Sequence, residues 1–425
     1  MAEATSIQST CRSCGRVGVR PFLSLGTTPL ADALVSPSDL DEPEDRFPLE
    51  VGMCPACSLV QILDTVPAEK LFVDNYLYFS SFSQELLDHS RRHAENLMAT
   101  RRLGPDSRVV EIASNDGYFL RNFVERGIPV LGIDPAPGQA QAAEAVGVPT
   151  LTEFFGVELA RRLRSEGPPA SVIVANNVMA HVPDLNGFVA GLRELVADDG
   201  LITVENPYVR DLVDRIEFDT IYHEHHCYFS CTAVDALVRR HGLHLNDVEY
   251  FPDLHGGTLR WHLGPRSHPT DAVRRYLAEE NERGLTTYDF YAGFGDRVQR
   301  LRSTLVELLA RLKAEGSRLA GYGAAAKAST LLNFAGIGLE TLDYVVDRNG
   351  HKQGLLMPGV HLPIVGPERL AVEPPDYLVL LAWNFQAEIM RQQAGFAAAG
   401  GRFIVPVPDP RVIESVPSPL GASRS

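Results

Sequence analysis

Residues 108–125 read R-V-V-E-I-A-S-N-D-G-Y-F-L-R-N-F-V-E. The opening β-branched run suits a buried strand, S-N-D-G a tight turn, and the remainder a helix. A strand whose small-residue turn opens a helix is how doubly wound α/β folds receive a nucleotide-like cofactor. The glycines of a pyrophosphate-binding turn are absent: the positions hold Ala113-Ser114-Asn115-Asp116-Gly117. Asn accepts a left-handed backbone as Gly does. Glu111, inside the strand, is a poor neighbour for a pyrophosphate and a good acceptor for the ammonium of a methionine-like tail. That favours S-adenosylmethionine (SAM) over NAD.

Working outward, residues 129–133 form a second strand that ends at Asp134-Pro135, about where a ribose-binding acid belongs. Residues 148–151, followed by Glu153 and Phe154, make a weaker third unit. Residues 171–175 lead into Asn176-Asn177 and then His181, and residues 200–205 make a fifth strand. Strands alternating with helices at this pitch predict a parallel sheet with its ligand at the strand C-termini. The expected cofactor contacts are Glu111, Ser114, Asn115, Gly117, Asp134, Pro135, Glu153, Phe154 and Asn177.

Toward the N-terminus, Cys11-Arg-Ser-Cys14 and Cys54-Pro-Ala-Cys57 form two C-x-x-C pairs. Four thiolates suit a closed tetrahedral zinc site, structural because no position is left for water. The other readings are disulfides, disfavoured in a cytosolic chain, or free thiols. Cys227 and Cys231 stand apart and read as buried apolar fillers. Residues 21–35 and 37–48 read as loop; 49–53 and 58–63 read as strands. Residues 67–100 are helical in pattern, interrupted by D-N-Y-L-Y-F-S-S-F-S at 74–83. Its aromatics, Tyr76, Tyr78, Phe79 and Phe82, have two readings: a packing cluster, or a phenol offered to a ligand.

Toward the C-terminus, residues 222–229 read Y-H-E-H-H-C-Y-F, placing His223, His225 and His226 around Glu224. Imidazoles beside a carboxylate are equipment for moving protons near neutral pH. A zinc-protease motif fails, because Cys227 stands where its second His belongs. Surface or structural histidines, or a metal site, are the plainer readings. Residues 230–241 read as a helix, 248–251 and 258–263 as strands, and 270–313 as a charged helical connector along the surface. A second α/β unit begins at residues 318–323, R-L-A-G-Y-G, and enters a helix at A-A-A-K. Further strands are expected at 342–347, 377–382 and 402–405, with a helix over 383–400. The helix start and Lys327 offer a diphosphate cradle, with Tyr322, Arg348, Asn349 and Lys352 nearby; the other reading is an empty turn, as in many Rossmann-like units. The tail from Pro406 is expected to be poorly ordered at its end.

The 425 residues suggest two to four domains. A net charge of −15 argues against nonspecific nucleic-acid binding. No apolar run approaches the roughly 20 residues that cross a bilayer, and residues 1–10 lack a signal pattern. The expectation is a cytoplasmic enzyme with no nucleic-acid or membrane partner; its oligomeric state is unreadable.

V-E-I-A-S-N-D-G-Y-F-L, G-I-D-P-A and N-N-V-M-A-H-V-P-D resemble a class I SAM-dependent methyltransferase. With the C-x-x-C pairs, Y-H-E-H-H-C-Y-F, G-Y-G-A-A-A-K-A and V-V-D-R-N-x-x-K-Q-G, almost the whole chain resembles the three-domain sugar C-methyltransferases. These act on dTDP-linked keto-deoxysugars in antibiotic biosynthesis. The resemblance implies an α/β protein: a zinc-binding module (residues 1–75), a Rossmann-like SAM domain (76–285) and a C-terminal Rossmann-like domain binding the sugar nucleotide (286–425). It implies methylation at C3, beside the 4-ketone, through an enolate. His225 is then the base, and Glu224 orients an imidazole or binds the sugar. Tyr222 and His181 donate to the oxygen, and Tyr76 reaches in from the first domain. The alternatives are N- or O-methylation of a sugar nucleotide, an NAD-linked oxidoreductase, and a non-enzymatic zinc-bearing binder.

Overall fold

The computed structural model describes residues 9–67, 70–71 and 78–413. Two compact units divide the chain. The first holds Met1–Ser24, Glu50–Leu212 and His223–Gly293; the second holds Leu25–Leu49, Val213–Tyr222 and Phe294–Ser425.

The strands are β1 (Arg20–Pro29), β2 (Arg46–Met53), β3 (Val60–Ile62), β4 (Val109–Ile112), β5 (Val130–Ile133) and β6 (Thr150–Leu151). They continue with β7 (Ala170–Asn176), β8 (Val196–Pro207), β9 (Cys227–Tyr228), β10 (His244–Phe251) and β11 (Thr258–Gly264). Seven of them make one sheet in the order β10-β11-β8-β7-β4-β5-β6. β4 to β8 are mutually parallel where they pair, and β11 runs antiparallel to β8 and β10. The order reverses at β4, so a ligand crevice belongs outside its C-terminal end.

Strand alternation explains how the sheet is covered. Val109 on one face, with Val172 and Val174, joins a core with Leu86, Leu97, Phe119 and Phe123. Val110 and Ile112 on the other, with Ile173 and Ala175, join Leu163, Phe188, Leu192 and Trp261. The helix Gln84–Arg101 starts at Ser83, whose side chain accepts from the Leu86 amide. A second sheet has the order β1-β2-β3-β9. The chain leaves for the second unit along β1 and returns along β2.

The second unit carries β12 (Leu319–Tyr322), β13 (Val345–Val346), β14 (Ile364–Val365), β15 (Tyr377–Leu380), β16 (Arg402–Val405) and β17 (Arg411–Ile413). Their order is β14-β13-β12-β15-β16-β17, with β12 to β16 parallel and β17 reversed. Here the switch point falls at β12.

Two expectations need correction. Residues 21–35 are not all loop, because Arg20–Pro29 is a strand. Pro21, Gly26 and Pro29 advertise turns, yet Leu23 and Leu25 alternate inward at 6% and 4% exposure. Residues 270–313 are not a surface connector. The helix Phe294–Ala314 buries Phe294, Val298, Leu301, Leu305, Leu309 and Leu312, a stripe at three- and four-residue steps that the intervening charges disguise. After Pro406 the chain forms β17, and the end of the tail, residues 414–425, for which poor order was expected, lies outside the described residues. Among the described residues no helix is long and apolar enough to cross a membrane.

Candidate active site

The turn after β4 takes left-handed backbone at Ala113, Asn115 and Gly117, with φ of 55°, 49° and 75°. Only Gly117 also needs its missing side chain. A Cβ there would meet Val146 Cγ2 at 3.0 Å and Val148 Cγ2 at 3.1 Å. Asp134 fastens the turn: its carboxylate accepts from the Asn115 amide and from the Ala136 amide, each at 2.9 Å. Burial pushes its carboxyl up to about 6, against those two hydrogen bonds. Asn177, with φ 53°, begins the turn after β7 and donates its amide to the Glu205 carbonyl. Glu153 is drawn to Arg162 in an ion pair. Phe154 is exposed and Pro135 half-buried.

Glu111 is wholly buried, and among the described residues neither carboxylate oxygen has a hydrogen-bond partner. Burial, then Asp116, Asp134 and Glu205, hold its carboxyl well above the usual range. The Ser114 hydroxyl, also fully buried, likewise has no hydrogen-bond partner among them. Buried polar groups without partners are rare because each costs desolvation free energy. A carboxyl and a hydroxyl left unmatched at the switch point fit the ammonium tail of SAM.

The segment before the helix Gln84–Arg101 straps onto this turn. The Ser80 amide donates to Asn115 Oδ1 at 2.9 Å, and the Ser81 amide to Asp116 Oδ2 at 3.1 Å. Asn115 Nδ2 and Gln139 Nε2 both donate to the Tyr78 carbonyl at 3.1 Å. Phe82 packs edge-on against Phe79, with ring centroids 6.3 Å apart, while Tyr78 and Phe82 remain 41% and 44% exposed. Tyr76 lies outside the described residues.

The histidine segment is irregular backbone leading into β9. His225 is half-buried, and its ring lies against that of His181 with centroids 4.7 Å apart. The His226 amide donates to the Ala180 carbonyl at 2.7 Å. Burial brings His181 down to about 4, against a hydrogen bond with the Glu224 backbone, so its imidazole is neutral at pH 7. Burial, with Arg12 next, takes His226 to about 3. Glu224 and His223 are buried at 3% and 1% exposure. Tyr222 closes the second unit's segment, where the Thr330 hydroxyl donates to the neighbouring Ile221 carbonyl at 3.2 Å.

Sequence reasoning missed a buried ionic network on the opposite sheet face. Glu205 accepts from Arg260 Nε at 2.6 Å and meets His89 Nε2 at 3.0 Å. Burial alone would raise its carboxyl, but Arg260 and His89 hold it below the usual range. The signal was present as His89 and His93, one helical turn apart on Gln84–Arg101.

The four cysteine sulfurs lie within 4.8 Å of one another. Cys11 Sγ and Cys57 Sγ are 3.5 Å apart, Cys14 Sγ and Cys54 Sγ 3.7 Å. Sulfurs about 2.3 Å from a tetrahedral zinc stand about 3.8 Å apart, so the set fits that metal. All six cysteines are free, which removes the disulfide reading. Cys227 and Cys231 are buried fillers as expected, at 1% and 0% exposure.

The second unit repeats the first unit's device. Asp347, after β13, accepts from the Ala324 amide at 2.7 Å and the Asn349 amide at 2.8 Å. Gly323 has φ 102°, and a Cβ there would meet Ala382 Cβ at 2.6 Å. Lys327 opens the helix Ala326–Ala335; its buried amine has no hydrogen-bond partner among the described residues and lies 4.6 Å from the Trp383 ring centroid. Burial lowers its pKa, against Asp219. Lys352 donates to the Ala324 carbonyl at 2.7 Å, Arg348 is 3.8 Å from Glu388, and the Tyr322 hydroxyl accepts from Gln393.

Three family models cover the chain in order: a zinc binding domain over residues 11–72, a methyltransferase domain over 84–248 and a C-methyltransferase C-terminal domain over 253–408. C-methyltransferase NovU of Streptomyces niveus is 36% identical over 408 residues, 95% of this chain and 97% of that protein. The chain belongs to the C-methyltransferase family. It is a SAM-dependent methyltransferase with an N-terminal zinc-binding module and α/β domains, as the sequence resemblance implied. Among solved structures, magnesium protoporphyrin IX methyltransferase of Synechocystis PCC 6803 is 12% identical, covering 42% of this chain and 82% of its own at a TM-score of 0.34. A SAM-dependent methyltransferase of Clostridium acetobutylicum is 8% identical, covering 43% and 92% at 0.35. The assignment to the C-methyltransferases rests on the family models and NovU.

Proposed function

We propose that this C-methyltransferase methylates C3 of a dTDP-linked 4-keto-deoxysugar through an enolate. The carrying observation is the contact between the His225 and His181 rings, both half-buried and 4.7 Å apart. A sugar carbon is not a nucleophile until it loses a proton, and a neighbouring ketone spreads the resulting charge onto oxygen. His225 takes that proton. His181, kept neutral by burial, donates to the oxygen, as do Tyr222 and Tyr76. Glu224 orients an imidazole or holds the sugar. Bound SAM supplies the electrophilic methyl group, held by Glu111, Ser114, Asn115, Gly117, Asp134, Pro135, Glu153, Phe154 and Asn177. In the second unit the unbonded Lys327 amine, with Tyr322, Arg348, Asn349 and Lys352, takes the diphosphate. We read the chain as three domains, at 1–75, 76–285 and 286–425.

His225→Ala tests the reading. The expected result is methyl transfer reduced at least 100-fold, consistent with the usual contribution of a general base, with S-adenosylhomocysteine affinity within twofold. Wild-type enzyme should exchange the C3 proton of the ketosugar with deuterated solvent. A methylated product formed without that exchange would move the reaction to a nitrogen or an oxygen.

A further inference from the structure

The cysteine knuckle and the histidine segment share one strip of backbone. β3 begins three residues after Cys57 and pairs antiparallel with β9, Val60 opposite Tyr228 and Gln61 opposite Cys227. One step on, the Ile62 amide donates to the His226 carbonyl at 3.1 Å. The His226 amide donates the other way, to Ala180. Both polar groups of that residue are therefore tied, one residue after His225.

Gln61 connects this clamp to the cysteines. All three residues of β3 are buried, yet the middle one is polar, at 2% exposure. Its Oε1 accepts from the Arg12 amide at 2.9 Å and its Nε2 donates to the Thr10 carbonyl at 3.1 Å. Arg12 lies between Cys11 and Cys14, inside the first C-x-x-C loop. The other side of that loop is held by Asn186 Nδ2, which donates to the Arg12 and Ser13 carbonyls at 2.8 and 3.1 Å. The second C-x-x-C loop is closed by Ser58 N–H to Cys54 C=O at 2.9 Å and Cys54 N–H to Leu59 C=O at 2.8 Å. It runs directly into β3.

We infer that the four-cysteine knuckle, acting through Gln61 and β3, fixes the backbone that carries His225, and that Gln61 is a positioning residue for proton abstraction. Zinc, bound by the four sulfurs, locks both loops. Gln61 carries that rigidity into the strand pair, and the Ile62–His226 hydrogen bond delivers it beside the base. The SAM turn after β4 has its own fastening through Asp134 and does not share this path. The inference rests on the reading of His225 as the base.

The test compares full-length, zinc-loaded wild type with Gln61→Ala and with Gln61→Glu, which keeps the Oε1 acceptor. Zinc content is verified in each. Amide hydrogen exchange at Ile62 and His226 reads the clamp without turnover. The expected result for Gln61→Ala is exchange at both amides at least tenfold faster. Its kcat should fall about 10- to 100-fold, the range a displacement near 1 Å produces, with S-adenosylhomocysteine affinity within twofold. Gln61→Glu should recover part of both effects. Unchanged exchange at His226, unchanged kcat, or cofactor affinity falling in step with kcat would each overturn the inference. If Gln61→Ala does not fold, chelator-stripped wild type takes its place. Exchange must then quicken at His226 but not at Val110 in β4, and equal protection at His226 overturns the inference. An active His225→Ala enzyme would remove the base assignment, and exchange at His226 would still report on the clamp.

Discussion

Glu111 is the side chain whose burial most demands a partner. Its carboxyl is held well above the usual carboxylate range by desolvation and by three neighbouring acids. A ligand ammonium would reverse that balance, because an adjacent positive charge favours the ionised form. Binding of S-adenosylhomocysteine at pH 7 should therefore release up to one proton. Calorimetry in buffers of different ionisation enthalpy checks this, and Glu111→Gln should bind at least tenfold more weakly with no buffer dependence. Asp134 gives a pH profile. On the proposed reading that Asp134 accepts from the ribose hydroxyls, protonation of its carboxyl near 6 should make cofactor affinity fall as pH drops through 6 and stay flat in Asp134→Asn. Folding responds with the opposite sign. A raised folded pKa stabilises fully below the ordinary carboxylate value, and that contribution is lost as pH rises through about 6.

Among the elements, the helix Cys231–Arg239 depends on one distant acid. Glu280, fully buried, accepts from the Cys231 amide at 2.7 Å, the Thr232 amide and hydroxyl at 2.8 and 2.7 Å, and the Tyr208 hydroxyl at 2.8 Å. Its charge also sits at the positive end of the helix. Glu280→Ala strands several buried donors at once and should cost roughly 3 kcal/mol or more, read as a lower denaturant midpoint at unchanged slope. No spacing in the chain joins Glu280 to Cys231, 49 residues away. By contrast the β4 turn was legible, because its left-handed Asn115 and Gly117 are local requirements. Arg20–Pro29 was not, since its pairing partners outvote the proline and glycine signals within it. The stripe of Phe294–Ala314 was legible in principle and was obscured by the charges between its apolar positions.

Across the whole molecule the two α/β units use one construction twice: a strand, a small-residue turn, and an aspartate from the next strand accepting two backbone amides. Asp134 does this in the first unit and Asp347 in the second. If each turn serves its own ligand, the effects of altering them should separate, as they do for independent sites. Asp347→Asn should weaken dTDP binding at least fivefold and leave S-adenosylhomocysteine affinity within twofold; Asp134→Asn should do the reverse. Calorimetry with each ligand alone decides it.

The sequence by itself determined the four-cysteine set, the alternation of strands and helices, the acid-bearing turn after β4 and the histidine concentration. Each is set by residues close together in the chain, where backbone sterics and short spacings leave few choices. Only the tertiary structure decided that Glu111 stands buried with no hydrogen-bond partner among the described residues, that His181 meets His225, that Glu205 is held by Arg260 and His89, and that Gln61 links the knuckle to the strand beside His226. Those relations join residues tens to hundreds of positions apart, and they exist only once burial has removed water as the competing partner.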